Sequence, residues 1–270
     1  MALLLQIAHL PRSTYYYHVE HPIDPQKYVR ERAEIHKICA QHKGRYGYRR
    51  VTLAMQQRGY RINHKLVMKL MAEEQLSCAL RPKRYRSYRG EVGKIAPNRL
   101  NRRFKAEKPN RKWTTDITEF NVQGQKLYLS PLLDLYNREI VSYSVSNTPE
   151  FRLVKEMLEQ AFCKVDDLNE LMIHSDQGWQ YQMKAYQHML IEKGTTQSMS
   201  RKGNCYDNSV MENFFGIVKT EFFHNQSFPS VENFLEELAQ FMDYYNNSRI
   251  KVKLKGLSPV QFRTQSFVST

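Results

Sequence analysis

Between Arg81 and Lys112 the chain places 13 Lys and Arg against only Glu91 and Glu107, with Pro82, Pro97, Pro109, Gly90 and Gly93 scattered among them. No apolar repeat of 2.0 or 3.6 residues is sustained there, so the segment reads as a basic arm between two folded parts. The 270 residues are enough for two domains. Charge divides at the same place. Residues 1–112 hold 26 Lys+Arg against 8 Asp+Glu, net +18, whereas residues 113–270 hold 15 against 19, net −4. A front half this basic implies a polyanionic partner, because Lys and Arg release condensed counterions when they neutralise phosphates. Nucleic acid is favoured over a surface that is basic only for solubility. A flexible arm at 81–112 would track a phosphate backbone, with Tyr85, Tyr88 and Phe104 able to stack on splayed bases and with Arg102 and Arg103 as contacts. The plainer alternative is a solvated linker.

The front half reads as helices over Gln26–His42, Tyr48–Arg58 and His64–Gln75, punctuated by Gly44, Gly47 and Gly59, with Asn63 placed to cap the third. In that third helix Leu66, Val67, Leu70 and Met71 share a face, leaving His64, Lys65 and Lys69 off it. Two short helices joined by a tight turn, the second one basic, follow helix-turn-helix logic; an ordinary three-helix bundle with solvated lysines fits equally well. Upstream, Leu3–Leu10 and Ser13–His18 suggest a short helical leader broken at Pro11 and too small to fold alone. No apolar stretch approaches a membrane span, and the first residues lack the features of a signal peptide. Cys39, Cys78, Cys163 and Cys205 form no CxxC pair, and His36, Cys39, His42, His64 and Cys78 lack zinc-domain spacing, so reduced thiols and no zinc are expected.

The back half begins with three β-rich runs, Trp113–Phe120, Lys126–Leu133 and Glu139–Val145, in a hairpin and meander pattern. A helix over Pro149–Cys163 with Thr148 as cap, a short strand Leu171–His174, a helix Lys184–Glu192 and a strand Thr195–Ser198 follow. Strands first, then alternating helix and strand, predict a mixed α/β sheet. A further helix runs from Asn208 to about Phe223, burying Met211, Phe214, Phe215, Val218 and Phe222 and setting Glu212, Gly216 and Lys219 on a second stripe. Three carboxylates stand out: Asp116 inside the first strand, Asp176 just past the fourth, and Glu212 on that helix, with 59 residues between the first two and 35 between the last two. Hard divalent cations take oxygen ligands, and a pair of them can serve phosphoryl transfer. An aspartate within the apolar run WTTDIT costs desolvation unless a cation or hydrogen bonds compensate it. Among 19 acidic residues in this half, spacing alone is a weak signal.

Longer motifs carry more. WTTDITEF at 113–120, KLYLSPLLDLYNREIVSYSVS at 126–146, IHSDQGWQY at 173–181 and SMSRKGNCYDNSVMENFFGIVKTE at 198–221 resemble the retroviral-integrase-type core of bacterial insertion-sequence transposases. YGYRRV at 46–51, with Arg49 and Arg50, resembles the helix-turn-helix region of the insertion-sequence-three family's second-reading-frame product; YYNNSRIKVKLKGLSPVQFR at 244–263 resembles its C-terminal signature. The resemblance implies an α/β architecture: an RNase H-like core of retroviral integrase type with a mixed five-stranded sheet, preceded by an all-α helix-turn-helix domain. The corresponding division is a leader at 1–20, a DNA-binding domain at 21–80, an arm at 81–112, the core at 113–250 and a tail at 251–270.

It also implies a DDE transposase, with Asp116, Asp176 and Glu212 as catalytic residues holding two Mg²⁺ or Mn²⁺ ions, and with Lys219, Arg201 and Lys202 on DNA. Double-stranded DNA, as element ends and target, is the implied partner of a homodimer or larger multimer in the bacterial cytoplasm, at the nucleoid. His174 and Gln177, flanking Asp176, orient their loop or act directly. The family's first reading frame adds another helix-turn-helix and a leucine zipper, and no heptad run follows Met1 here. A first-frame protein is therefore a further expected partner, and the alternative function is a DNA-binding regulatory subunit, catalytic only as a longer fusion. A nuclease acting on RNA–DNA hybrids would share the metal chemistry but suits the basic front half less well.

Overall fold

The computed structural model describes Leu5 and residues 11–20, 27–78, 95–165, 167–202 and 204–268. The helix expected over Leu3–Leu10 (Leu5 apart), the arm at 81–94, and Gly203 lie outside the described residues. Contacts divide the chain into two compact units, Met1–Cys78 and Ala79–Thr270.

The first unit is helical: α1 (Arg12–Glu20), α2 (Val29–Gln41), α3 (Tyr48–Gln57) and α4 (His64–Glu73). Helix α1 starts directly after Pro11, so Ser13 lies within its first turn. The other three helices fall where apolar spacing placed them, and Ile35, Ile38, Val51, Met55, Val67, Leu70 and Met71 form their common core. Asn63 Oδ1 accepts from the Lys65 N–H at 3.0 Å, the expected cap of α4. Gly44, at φ +68°, donates its N–H to Cys39 O at 2.8 Å and closes α2. Arg32 joins the ends of α2 and α4 by bonding both Glu73 and Glu74.

The second unit is built on a sheet of β1 (Lys112–Thr115), β2 (Thr118–Val122), β3 (Gln125–Asp134), β4 (Ile140–Ser146), β5 (Met172–Ser175) and β6 (Thr196–Met199). Six strands replace the expected five because the run Trp113–Phe120 is interrupted at Asp116–Ile117. The interruption is local. Thr115 faces Leu132 and Thr118 faces Leu129, so β1 and β2 stay in one register along the same side of β3. Asp116 Oδ1 takes the Ile117 N–H at 2.7 Å, where a regular strand would offer its groups to the neighbouring strand. Strand β4 pairs antiparallel on the other side of β3, while β5 lies parallel to β1 and β6 parallel to β5.

Helix α5 (Phe151–Lys164), the short α6 (Trp179–Gln182) and α7 (Lys184–Glu192) cover one face, with Trp113, Leu132, Val154, Leu158, Ile173, Tyr186 and Met199 in its core. Helix α5 begins two residues later than expected, with Glu150 instead of Thr148 at its cap position. A 3₁₀ turn Cys205–Asn208 leads into α8 (Ser209–Val218), followed by a π-helical turn Lys219–Phe223 and by α9 (Val231–Asn247). These cover the opposite face with Met211, Phe214, Phe222, Phe234, Leu238 and Phe241 against Phe120 and Leu129. The stripe expected on the helix before Phe223 is buried at every position.

Two segments expected as an arm and a tail belong to this unit. The stretch from Ala96 to Leu100 lies against the edge strand β6, where the Arg99 and Leu100 N–H groups donate to Ser198 Oγ at 3.0 and 3.1 Å; the Asn110 N–H donates to Asp134 at 2.7 Å, and Leu100 and Ala106 are buried. After a 3₁₀ turn Val252–Leu254, helix α10 (Pro259–Val268) docks through Phe262 on Tyr136 and through two Arg263–Glu139 bonds of 2.7 and 3.1 Å. Among the described residues no helix is long and apolar enough to cross a membrane.

Candidate active site

Asp116 occupies the gap between β1 and β2, and Asp176 follows the last residue of the adjacent parallel strand β5. Both are half-buried. Every hydrogen bond shown for the two aspartates comes from a neutral donor. Asp116 accepts from the Ile117 N–H and, at 3.1 Å, from the Asn208 side-chain amide; Asp176 accepts from the Gly178 N–H at 2.8 Å. Burial pushes the Asp116 carboxyl well above the usual carboxylate range, and the charges of Asp176 and then Glu212 push the same way. Burial also raises Asp176. Glu212 sits on the exposed side of α8. Its charge raises Asp116 less than that of Asp176 does, and among the described residues no three or more His, Cys, Asp or Glu are grouped so as to hold a metal ion.

The surrounding residues fix the two aspartates. A Cβ on Gly178 would stand 3.0 Å from Asp176 Oδ1, tighter than an ordinary contact, so a larger residue there would make the carboxylate shift. His174 is buried between Ser198 Oγ at 2.9 Å and Ser200 Oγ at 3.1 Å, and burial lowers its pKa to about 4, leaving the ring neutral. Gln177 Nε2 donates to Ser200 O at 3.0 Å. Both flanking residues therefore act as loop supports. Buried Tyr181 has its ionisation suppressed first by burial and then by the charges of Asp116 and Asp176.

A second charged cluster adjoins the site. Asp207 is fully buried and is bonded by Arg201 (3.0 and 3.1 Å, with the Arg201 N–H at 3.1 Å), by Arg102 at 3.0 Å and by Asn98 at 2.8 Å. Arg201 holds its carboxyl far below the usual range. Arg102 also lies 5.7 Å from the exposed Tyr206 ring. Two arginines expected on DNA thus have an anchor within the protein, while their side chains stay about half exposed, 48% for Arg102 and 52% for Arg201. Lys202 and Arg103 are exposed, and the Arg103 carbonyl accepts from Lys112 Nζ at 3.2 Å. Lys219 opens the π turn with its Nζ 5.9 Å from the Phe120 ring; burial lowers its pKa, and Glu119 and Asp116 oppose that shift.

In the first unit Arg49 Nε donates to Tyr48 Oη at 3.1 Å and His64 lies 6.3 Å from the same ring, so these two candidates share a surface. Arg50 serves the fold, donating to Arg45 O at 3.1 Å and covering Tyr46. Lys65 and Lys69 are exposed, Lys69 within 3.9 Å of Glu73. The sequence reading missed Asp207, Asn208 and Gly178. The available signal was that each is a turn-forming residue just ahead of a helix, Asp207 and Asn208 before α8 and Gly178 before α6.

Comparison with known proteins adds a third line. Residues 106–205 and 212–267 match the integrase core domain family, and residues 28–85 an HTH-like domain. The chain is 51% identical to the putative transposase InsK for insertion sequence element IS150 of Escherichia coli, over 98% of this chain and 94% of that protein. It is 35% identical to the transposase for insertion sequence element IS904 of Lactococcus lactis, over 85% of this chain and 91% of that one. In fold it is similar to a chain of the simian T-cell lymphotropic virus intasome structure, with a TM-score of 0.52 at 16% identity, covering 84% of this chain and 73% of that chain. The α/β unit is accordingly RNase H-like, as expected. On these likenesses the chain belongs to the insertion-sequence-three family of bacterial transposases, in its second-reading-frame form, and is an enzyme of the transposase and integrase class.

Proposed function

We propose that Asp116, Asp176 and Glu212 together hold two divalent cations, Mg²⁺ or Mn²⁺, and that the chain cuts DNA at the ends of its insertion sequence and joins the released 3′-OH to another phosphodiester. The observation that carries this reading is the meeting of Asp116 and Asp176 at the ends of adjacent parallel strands, where, among the described residues, their hydrogen bonds come from neutral donors. Such a pair repels itself, and a divalent cation neutralises it. Bound there, the cations supply Lewis acidity to the scissile phosphate and to the attacking oxygen. Glu212 completes the set from the helix side. Lys219 at the far end of the same helix, and Arg201 and Lys202 in the preceding loop, bind phosphates of the strand being cut. No covalent protein–DNA link is required, and Tyr181, whose ionisation both aspartates oppose, is buried.

Arg49, His64, Lys65 and Lys69 of the helical unit, with Arg50 beneath them, bind the duplex, as do Arg102 and Arg103. Synapsis of two ends calls for a homodimer or larger multimer, joined by the element's first-frame protein, at the nucleoid. The test is incubation of the purified chain with labelled DNA carrying the element's own ends, with Mg²⁺ or Mn²⁺, beside an RNA–DNA hybrid of equal length. Metal-dependent nicks and joined products on the DNA ends, with little cutting of the hybrid, are expected. Binding without cleavage under either metal would instead favour the regulatory-subunit reading, and preferential hybrid cleavage would favour a nuclease.

A further inference from the structure

We propose that Asn208 is the positioning residue of this active site: its side-chain amide sets the Asp116 carboxylate for a divalent cation and ties it to the helix that bears Glu212. The inference rests on the metal-dependent reading above and concerns a residue outside the three carboxylates.

The amide is engaged at both ends. Asn208 Nδ2 donates to Asp116 Oδ2 at 3.1 Å, and Asn208 Oδ1 accepts from Thr114 Oγ1 at 2.9 Å. Because the Asp116 carboxylate can only accept, the NH₂ end of the amide faces it, and the Thr114 hydroxyl, able to donate, takes the carbonyl end. The other Asp116 oxygen, Oδ1, is held by the Ile117 N–H at 2.7 Å. With one donor on each oxygen, the carboxylate cannot rotate freely, yet neither donor brings a charge. A lysine or arginine in this place would spend the negative charge on an internal ion pair; a primary amide orients the group and leaves the charge for a cation.

Asn208 is itself well fixed, being 5% exposed. The residue before it, Asp207, is anchored by Arg201, Arg102 and Asn98, and Asn208 stands at the cap position of α8, four residues ahead of Glu212. The chain Thr114–Asn208–Asp116 therefore links β1 to the start of the helix carrying the third carboxylate. It ties the start of the helix bearing Glu212 to the strand that leads into Asp116.

The experiment is a titration of the full-length chain with Mn²⁺ alone, followed by electron paramagnetic resonance of the free ion, for wild type, Asn208→Ala and Thr114→Val. Melting temperature and metal-free retention of a short random-sequence duplex are measured in parallel. Loss of the amide is expected to raise the Mn²⁺ concentration for half-occupancy by roughly 10-fold or more, in the range of lost outer-shell partners, and Thr114→Val by a smaller factor. The variant should stay folded, melting lower by only about the few degrees that a lost buried hydrogen bond costs, and should keep wild-type DNA retention; a purely structural asparagine would lower melting without shifting Mn²⁺ affinity. Wild-type Mn²⁺ affinity in a folded Asn208→Ala overturns the proposal. Should that variant fail to fold, Thr114→Val decides, an unchanged affinity overturning the proposal and a weakened one supporting it. A wild-type chain that takes up no Mn²⁺ overturns the metal-dependent reading and this inference together.

Discussion

Asp116 is a residue placed against its own stability. Its carboxyl is raised by burial and by Asp176, so at neutral pH folding must hold a charge that the unfolded chain carries more easily. That penalty is absent below the ordinary carboxylate range and grows as pH rises toward the folded-state value. Asp116→Asn is therefore expected to melt higher than wild type at pH 7, by roughly 2–4 °C or about 1 kcal/mol for a chain of this size, and calorimetry at pH 7 checks it. An equal or lower melting temperature would mean that the carboxylate is not strained. His42 has the opposite sign. It is buried, stacked on Tyr46 at 3.8 Å, with its pKa lowered to about 4 by burial and then by Arg58, Arg45 and Arg50. Its contribution is whole above about pH 6.5 and is lost as pH falls from there toward 4, by up to about 3 kcal/mol. His42→Phe, which keeps a ring against Tyr46, should flatten the pH dependence of melting between pH 7 and 5; an unchanged slope would remove His42 as its cause. At this scale Asp116 stood out because it interrupts an apolar run, while Asp176 and Glu212 were singled out by the family resemblance of the motifs around them. Asn208 was not, since its meaning depends on Thr114 and Asp116, more than 90 residues away in sequence.

Among the elements, the π turn after α8 shows what local patterning conceals. Its Glu221 is buried and receives two bonds from buried Arg249, at 2.7 and 2.6 Å, which fasten the turn bearing Lys219 to the chain leaving α9. Removing one partner of such a pair strands the other's charge in the interior. Arg249→Met is expected to cost about 3–5 kcal/mol in chemical denaturation, and the double variant with Glu221→Leu to recover much of that loss. A cost below about 1 kcal/mol would deny the pair its structural weight. Helix α9 itself went unread, although Phe234, Leu238, Phe241, Met242 and Tyr245 recur at helical spacing behind a Ser230 cap whose Oγ accepts from Asn233 at 3.2 Å. That signal was present in the sequence. The ordering of residues 95–112 was not: their charge density is visible, but the buried partner of Arg102 is Asp207, supplied from 105 positions further on. Likewise the run Trp113–Phe120 has the composition of one strand and keeps the register of one, and only the Asp116 carboxylate breaks it.

For the whole molecule, charge follows the basic segment and not the boundary between units. Residues 1–112 bring net +18 and residues 113–270 net −4, but the 13 Lys and Arg at 81–112 belong to the second unit, so Met1–Cys78 and Ala79–Thr270 each carry net +7. The carboxylates therefore share their unit with a basic stretch of sequence, the composition that favours a polyanion. The account's central claim, that Asp116, Asp176 and Glu212 carry metal-dependent DNA chemistry in this chain, is tested most directly by one comparison. Wild type, Asp116→Asn and Glu212→Gln are incubated with the same labelled element-end DNA and Mg²⁺ or Mn²⁺, and nicked and joined strands are counted. Wild type is expected to nick and join only with metal, while both variants bind the DNA and lose each reaction by at least about 100-fold, the scale of a lost catalytic group. Activity that persists in either variant at the wild-type level would contradict the claim.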